Sequence, residues 1–285
     1  RLALQDALNT NDTERAKIKV EEYRLALDNI IEILEKNRSM IILKEQPQFD
    51  WSWGKGAYMS SCWRWEKLMT YAVGYDINMA SAMNKATNSN FKEASQNFHK
   101  AGEYCVSIVD KVIPEWQWKE VSSIHMTMEN FWKSKVYFIY AMKDLMTLQF
   151  GINKEKEISD KNAIRIASRI EGLCKKSIAQ WSNHDNGGLM NWARATRAIF
   201  NARSYAQKDE FGKAIGLIQS WNTVLTRLIN DNHLNIIMEN LVVALHEITD
   251  QVEDWTVTNT HVHFAPIETP ELTEIEQYDE IKNKI

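Results

Sequence analysis

From Thr13 to Asp254 almost nothing interrupts a helical repeat. Of the chain's 4 prolines only Pro47 and Pro114 fall in that span, and the whole sequence holds only 10 glycines. A sandwich or barrel of many short strands needs far more turn residues, so this scarcity predicts an all-α fold of long helices. With no linker in sight, the 285 residues are read as a single domain.

The apolar spacing places the helices. Thr13–Leu34 carries Tyr23, Leu27, Ile30, Ile31 and Leu34 on one face. Lys44–Ser60 reads as a connector and Ser61–Ala86 as helix. Asn90 opens the clearest stripe: Phe91, Ala94, Phe98, Ala101, Cys105, Ile108 and Val112, with Asn90 and Glu93 spaced as a capping box and Pro114 after its end. Helices follow over Ser122–Gln149 and Lys161–Trp181, separated by the charged "GINKEKEIS". "SNHDNGG", Ser182–Gly188, reads as the strongest loop. After it, two helices joined at Lys208–Asp209 resemble a tetratricopeptide hairpin. A last helix spans His233–Asp254. From Trp255 the β-branched, proline-containing pattern predicts an extended arm, residues 255–285, that buries Val262, Phe264 and Ile267 on the helices.

Charge narrows the function. A net charge of -4 leaves no basic surplus for a phosphate backbone, so nucleic-acid binding is not expected. Cys62, Cys105 and Cys174 lie far apart and read as reduced thiols of a cytoplasmic protein. No apolar run reaches the roughly 18 residues a membrane span needs, and no signal peptide is expected. The sequence opens at Arg1 rather than Met, which predicts an N-terminally truncated piece of a longer protein.

Motifs for chemistry are sparse. "HEITD", His246–Asp250, departs from the zinc-binding H-E-x-x-H by placing Asp250 where the second histidine belongs; a metalloenzyme using His246, Glu247 and Asp250 is the catalytic alternative. On a strand, His261 and His263 would share one side, but no third ligand accompanies them. Phosphate-binding glycine loops and nucleophile elbows are missing from the sequence. No cofactor or metal is expected, and no enzyme. Four tryptophans, Trp51, Trp53, Trp63 and Trp65, crowd into 15 residues, and Trp116 and Trp118 repeat the W-x-W spacing. Such rings more often pack helix junctions than bind ligands.

The order of these segments resembles the Bro-one (BRO) domain family, the boomerang-shaped helical domain of Alix, Brox and HD-PTP. "QFDWSW" is similar to its F-x-W-x-D entry, with Trp53 in place of the acid, and Trp65–Glu66 to its aromatic-Glu pair. "SKVYFIYA", Ser134–Ala141, resembles its Q-E-V-F-F-L-K-A helix. "RSYAQKDEFGKAIGLIQ", Arg203–Gln219, resembles its G-E-A-I segment, and "NTHVHFAPIETPEL", Asn259–Leu272, its arm. Departures are Ala72–Val73 for the family's F-N and His263 for the arm's tyrosine.

The resemblance implies an elongated, curved helical solenoid. It also implies a non-enzymatic scaffold of the ESCRT pathway, endosome-associated through its partners, that binds the C-terminal amphipathic helix of an ESCRT-III subunit. The family's groove aromatic falls on Tyr137, and its downstream aliphatics fall near Asn162 and Ile166, with Ala163 between them. Trp51 and Trp65 are implied to be scaffold. The rival expectation is a generic tetratricopeptide-like adaptor for another peptide or a small GTPase.

Overall fold

The computed structural model describes residues 1–10, 12–36, 49–53, 56–60, 62–115, 125–152, 158–182, 184–230 and 250–272. Eight helices lead the order: α1 Leu2–Asn9, α2 Thr13–Lys36, α3 Trp63–Thr87, α4 Phe91–Ser107, α5 Glu129–Ile152, α6 Asp160–Gln180, α7 His184–Ala206 and α8 Phe211–Asn230. Each packs chiefly on the next in sequence, α2 on α3, α3 on α4, and so on to α8, so the chain is an all-α helical solenoid. Paired contacts fix the directions. Ser134 meets Ser177 and Asp144 meets Arg169, so α5 and α6 are antiparallel. Glu171 meets Arg194 while Asp160 meets Arg203, so α6 and α7 are too.

The α4 stripe is the plainest case of pattern becoming core. All seven of its residues are buried, from Phe91 to Val112. The capping box does not form: Asn90 is the N-cap but makes no side-chain capping bond, and Glu93 instead pairs with Lys85 at 2.6 Å. On α2 the buried face is Ala16, Val20, Leu27 and Ile31, while Ile30 turns outward.

Two helix–helix corners share one backbone device. Ser89 (φ 57°) and Asp209 (φ 61°) adopt the left-handed conformation just past their helices. The next amide then reaches back, Asn90 to the Lys85 carbonyl at 2.9 Å and Glu210 to the Tyr205 carbonyl at 3.0 Å. This is the Schellman closure, here without glycine.

Three elements depart from the expectation. The connector contains an antiparallel hairpin, β1 Phe49–Trp53 and β2 Gly56–Ser60, with Trp51 opposite Tyr58. Trp51 is buried and donates its indole N–H to Glu66, a fully buried carboxylate that also accepts from the Tyr23 hydroxyl. Trp65 is buried as well, so both rings pack as scaffold.

"SNHDNGG" is not a long loop, because α7 begins at His184 and takes in both glycines. Each glycine inside a helix costs only about 1 kcal/mol relative to alanine, which packing of the rest of α7 overrides.

The chain beyond Trp255 is not extended at first. Residues 250–258 are α-helical and continue into a π-turn, Asn259–His263. Phe264, at φ 51°, ends it, and the Asn259 side chain clamps the exit by bonding both the amide (3.1 Å) and the carbonyl (2.9 Å) of Ala265. The extended strap therefore starts at Phe264. Val262, Phe264 and Ile267 are 65%, 75% and 56% exposed, not buried. On α8 the contact is made by backbone: the strap lies on Gly212 and Gly216, with the Glu268 amide on the Gly212 carbonyl at 3.4 Å, and further on the Leu272 side chain packs against the core.

Candidate interaction surface

Tyr137 lies on α5, a helix buried on nearly every side. It is half-buried and packs against the core's edge, with the Lys176 ammonium 5.9 Å from its ring centre. One heptad further along α5, Asp144 is buried and takes two hydrogen bonds from the Arg169 guanidinium of α6. A second heptad step on α5 reaches Gly151, close to Ile158 at the start of the next segment.

These contacts define a seam. Tyr137, Asp144 and Gly151 form its α5 edge, and Lys176, Arg169 and Asn162 form the α6 edge at the same seven-residue spacing. Fourteen residues from Lys176 back to Asn162 make it roughly 20 Å long, close to four helical turns.

The four proposed site residues fall unevenly on it. Tyr137 stands at one end. Half-buried Ile166 lies ten residues from Lys176, so roughly 15 Å along the seam. Asn162 is exposed at the far end, in the first turn of α6, where its amide donates to the capping hydroxyl of Ser159 at 3.4 Å. Ala163 has no exposed surface; it is core and can only shape the wall behind the seam. The four residues thus line a track and do not converge on one pocket.

Sequence reasoning missed the polar members. Arg169 and Lys176 continue the heptad from Asn162, and that spacing was the available signal. Beside it, α6 turns Lys161, Arg165 and Arg169 to solvent at i, i+4 and i+8, a cationic ridge along the seam.

The other motifs contribute little to this surface. His261 and His263 sit on a π-turn, not a strand, and are exposed, with His263 against Phe211 (ring centres 4.9 Å apart). His246, Glu247, Trp116 and Trp118 lie outside the described residues, and Asp250 is exposed. Among the described residues no three histidine, cysteine or acidic side chains gather closely enough to hold a metal ion. No described helix is long and apolar enough to cross a membrane.

No known family's sequence profile matches the chain, and no curated protein matches it.

Proposed function

We propose that the chain is a non-enzymatic scaffold of the ESCRT pathway whose α5–α6 seam receives the C-terminal amphipathic helix of an ESCRT-III subunit. The observation that carries the reading is Tyr137, half-buried at the head of a seam four turns long and bordered by cations. An amphipathic helix laid along it sets an apolar residue on Tyr137 and another on Ile166, about three turns away. Its acidic flank then faces Lys161 and Arg165, while Arg169 is held by Asp144. Asn162 gives the far end a polar contact, so the apolar hold concentrates at Tyr137 and Ile166. The residue-level resemblance of "SKVYFIYA" supports the partner class. On this reading the protein works in endosomal sorting from the cytoplasm and reaches the endosomal membrane through its partners.

Capture of synthetic C-terminal helices from a full ESCRT-III set by the immobilised chain tests the proposal. Retention of at least one, and not of its sequence-scrambled control, is the expected result. If none is retained, the rival adaptor role is favoured.

A further inference from the structure

A second surface, far from the seam in sequence, has the shape and charge of a helix receptor. Helices α2 and α4 run in the same direction, fixed by Lys17 on Asn97 (3.0 Å) and by the Tyr104 hydroxyl on Glu21. Antiparallel α3 lies between them and forms a floor with Tyr71 and Asn78. The result is an open groove of about 780 Å³.

Its α2 wall presents Ile18 and Leu25, one heptad apart and 58% and 54% exposed. On a helix whose opposite face is already core, two such side chains on one stripe leave apolar surface uncovered. The charges divide by wall. Carboxylates on the α2 side are neutralised in place: Glu14 by Lys17, Glu21 by Arg24 and Glu22 by Lys19. Across the groove, Lys100 and Lys111 are exposed and make no salt bridge among the described residues. They are eleven residues apart, three turns and roughly 16 Å, on the same side of α4 and its terminal turn. Between them Glu103 has only His99 as a salt-bridge partner among the described residues, at 3.7 Å.

From this division we infer that the α2–α3–α4 groove docks an amphipathic helix of a second protein, with apolar residues seven apart for Ile18 and Leu25 and carboxylates about three turns apart for Lys100 and Lys111. Glu103 repels a continuous acidic run, so the groove selects carboxylates at the ends with a neutral or basic residue between them. A flat anionic membrane cannot follow the concave floor to Tyr71, which favours a helix over a lipid surface.

The test uses the full chain and a labelled synthetic helix with two leucines seven apart and two glutamates eleven apart, alongside a twin with lysines replacing the glutamates. Fluorescence anisotropy should show binding of the acidic helix to the wild type. Lys100→Glu with Lys111→Glu should weaken it about tenfold or more, as should Leu25→Asp alone, while Tyr137→Asp leaves it unchanged. The double charge variant should in turn bind the lysine twin, a rescue that a misfolded protein cannot give. Equal binding of both helices by the wild type would overturn the inference. So would loss caused by Tyr137→Asp alone, or Lys100- and Lys111-dependent binding to anionic vesicles without helix binding.

Discussion

Glu171 shows how one side chain ties two helices. It is buried on α6 and held by Arg194 and Arg197 of α7 and by Lys175 one turn along. Burial pushes its carboxyl up, but Arg194, Lys175 and Arg197 outweigh that and hold it below the usual glutamate range. Because the folded pKa is depressed, the stabilisation is complete above the unfolded value of about 4.3 and is lost as pH falls through the folded one. Glu171→Gln should therefore cost about 3 kcal/mol at pH 7, chiefly by taking a counter-charge from the buried Arg197, and should flatten the loss of stability below pH 4. Denaturant titrations at pH 7 and pH 3 check it; parallel curves for the two proteins would mean the ion set carries no pH-dependent stability. The cysteines give a second residue-level prediction. Cys105 and Cys174 are buried; burial raises both thiols, Cys174 to about 12 with a further push from Glu171. A thiol reagent at pH 8 should label half-buried Cys62 in the folded protein and reach the other two only after unfolding, as mass spectrometry of the labelled peptides would show.

At the scale of elements, the strap on α8 makes a prediction of unusual sign. Glycine to alanine in a helix normally adds up to about 1 kcal/mol of stability. At Gly216 a methyl group would instead meet the Glu268 carbonyl, and at Gly212 the Pro266 carbonyl, so the strap must lift. Gly216→Ala should lower the melting temperature and speed proteolysis within residues 264–272; a higher melting temperature would show that the strap does not press on α8. The Gly-x-x-x-Gly spacing is visible in the sequence, but the apolar pattern points to Val262, Phe264 and Ile267, since side-chain hydrophobicity is readable there and backbone contact is not. The α4 stripe was legible because its apolar residues recur with a helical period from Phe91 to Cys105, and Ile108 and Val112 stay buried where the helix passes into a π-turn. The hairpin was missed although Phe49, Trp51 and Trp53 alternate as a strand does; two glycines outweighed that signal. Helix through Val257 and Thr258 was missed because β-branched residues cost only tenths of a kcal/mol each, which the Asn259 clamp and packing override. For the candidate surface, the sequence pointed to α5 and α6 but not to their register, which arises from contacts between residues 25 to 43 positions apart.

For the whole molecule, packing each helix mainly on its sequence neighbours builds a quasi-one-dimensional body whose seams are already formed without a ligand. Such a body suits recognition of a preformed helix, because little ordering entropy is lost on the receptor side. The proposed role then depends on whether Tyr137 is an anchor or an edge of the core, and Tyr137→Asp separates the two. Removing a central aromatic typically costs roughly 2 to 4 kcal/mol of binding, and each 1.4 kcal/mol is about a tenfold change in affinity. A carboxylate desolvated against apolar side chains adds to the loss. The decisive measurement is calorimetric titration of wild type and Tyr137→Asp with an ESCRT-III C-terminal helix, paired with the melting temperature of both proteins. The account predicts that the variant loses detectable binding yet stays folded, melting within about 4 °C of the wild type, as expected for a change of roughly 1 kcal/mol at a half-buried edge position. Undiminished affinity in a stably folded variant would contradict it.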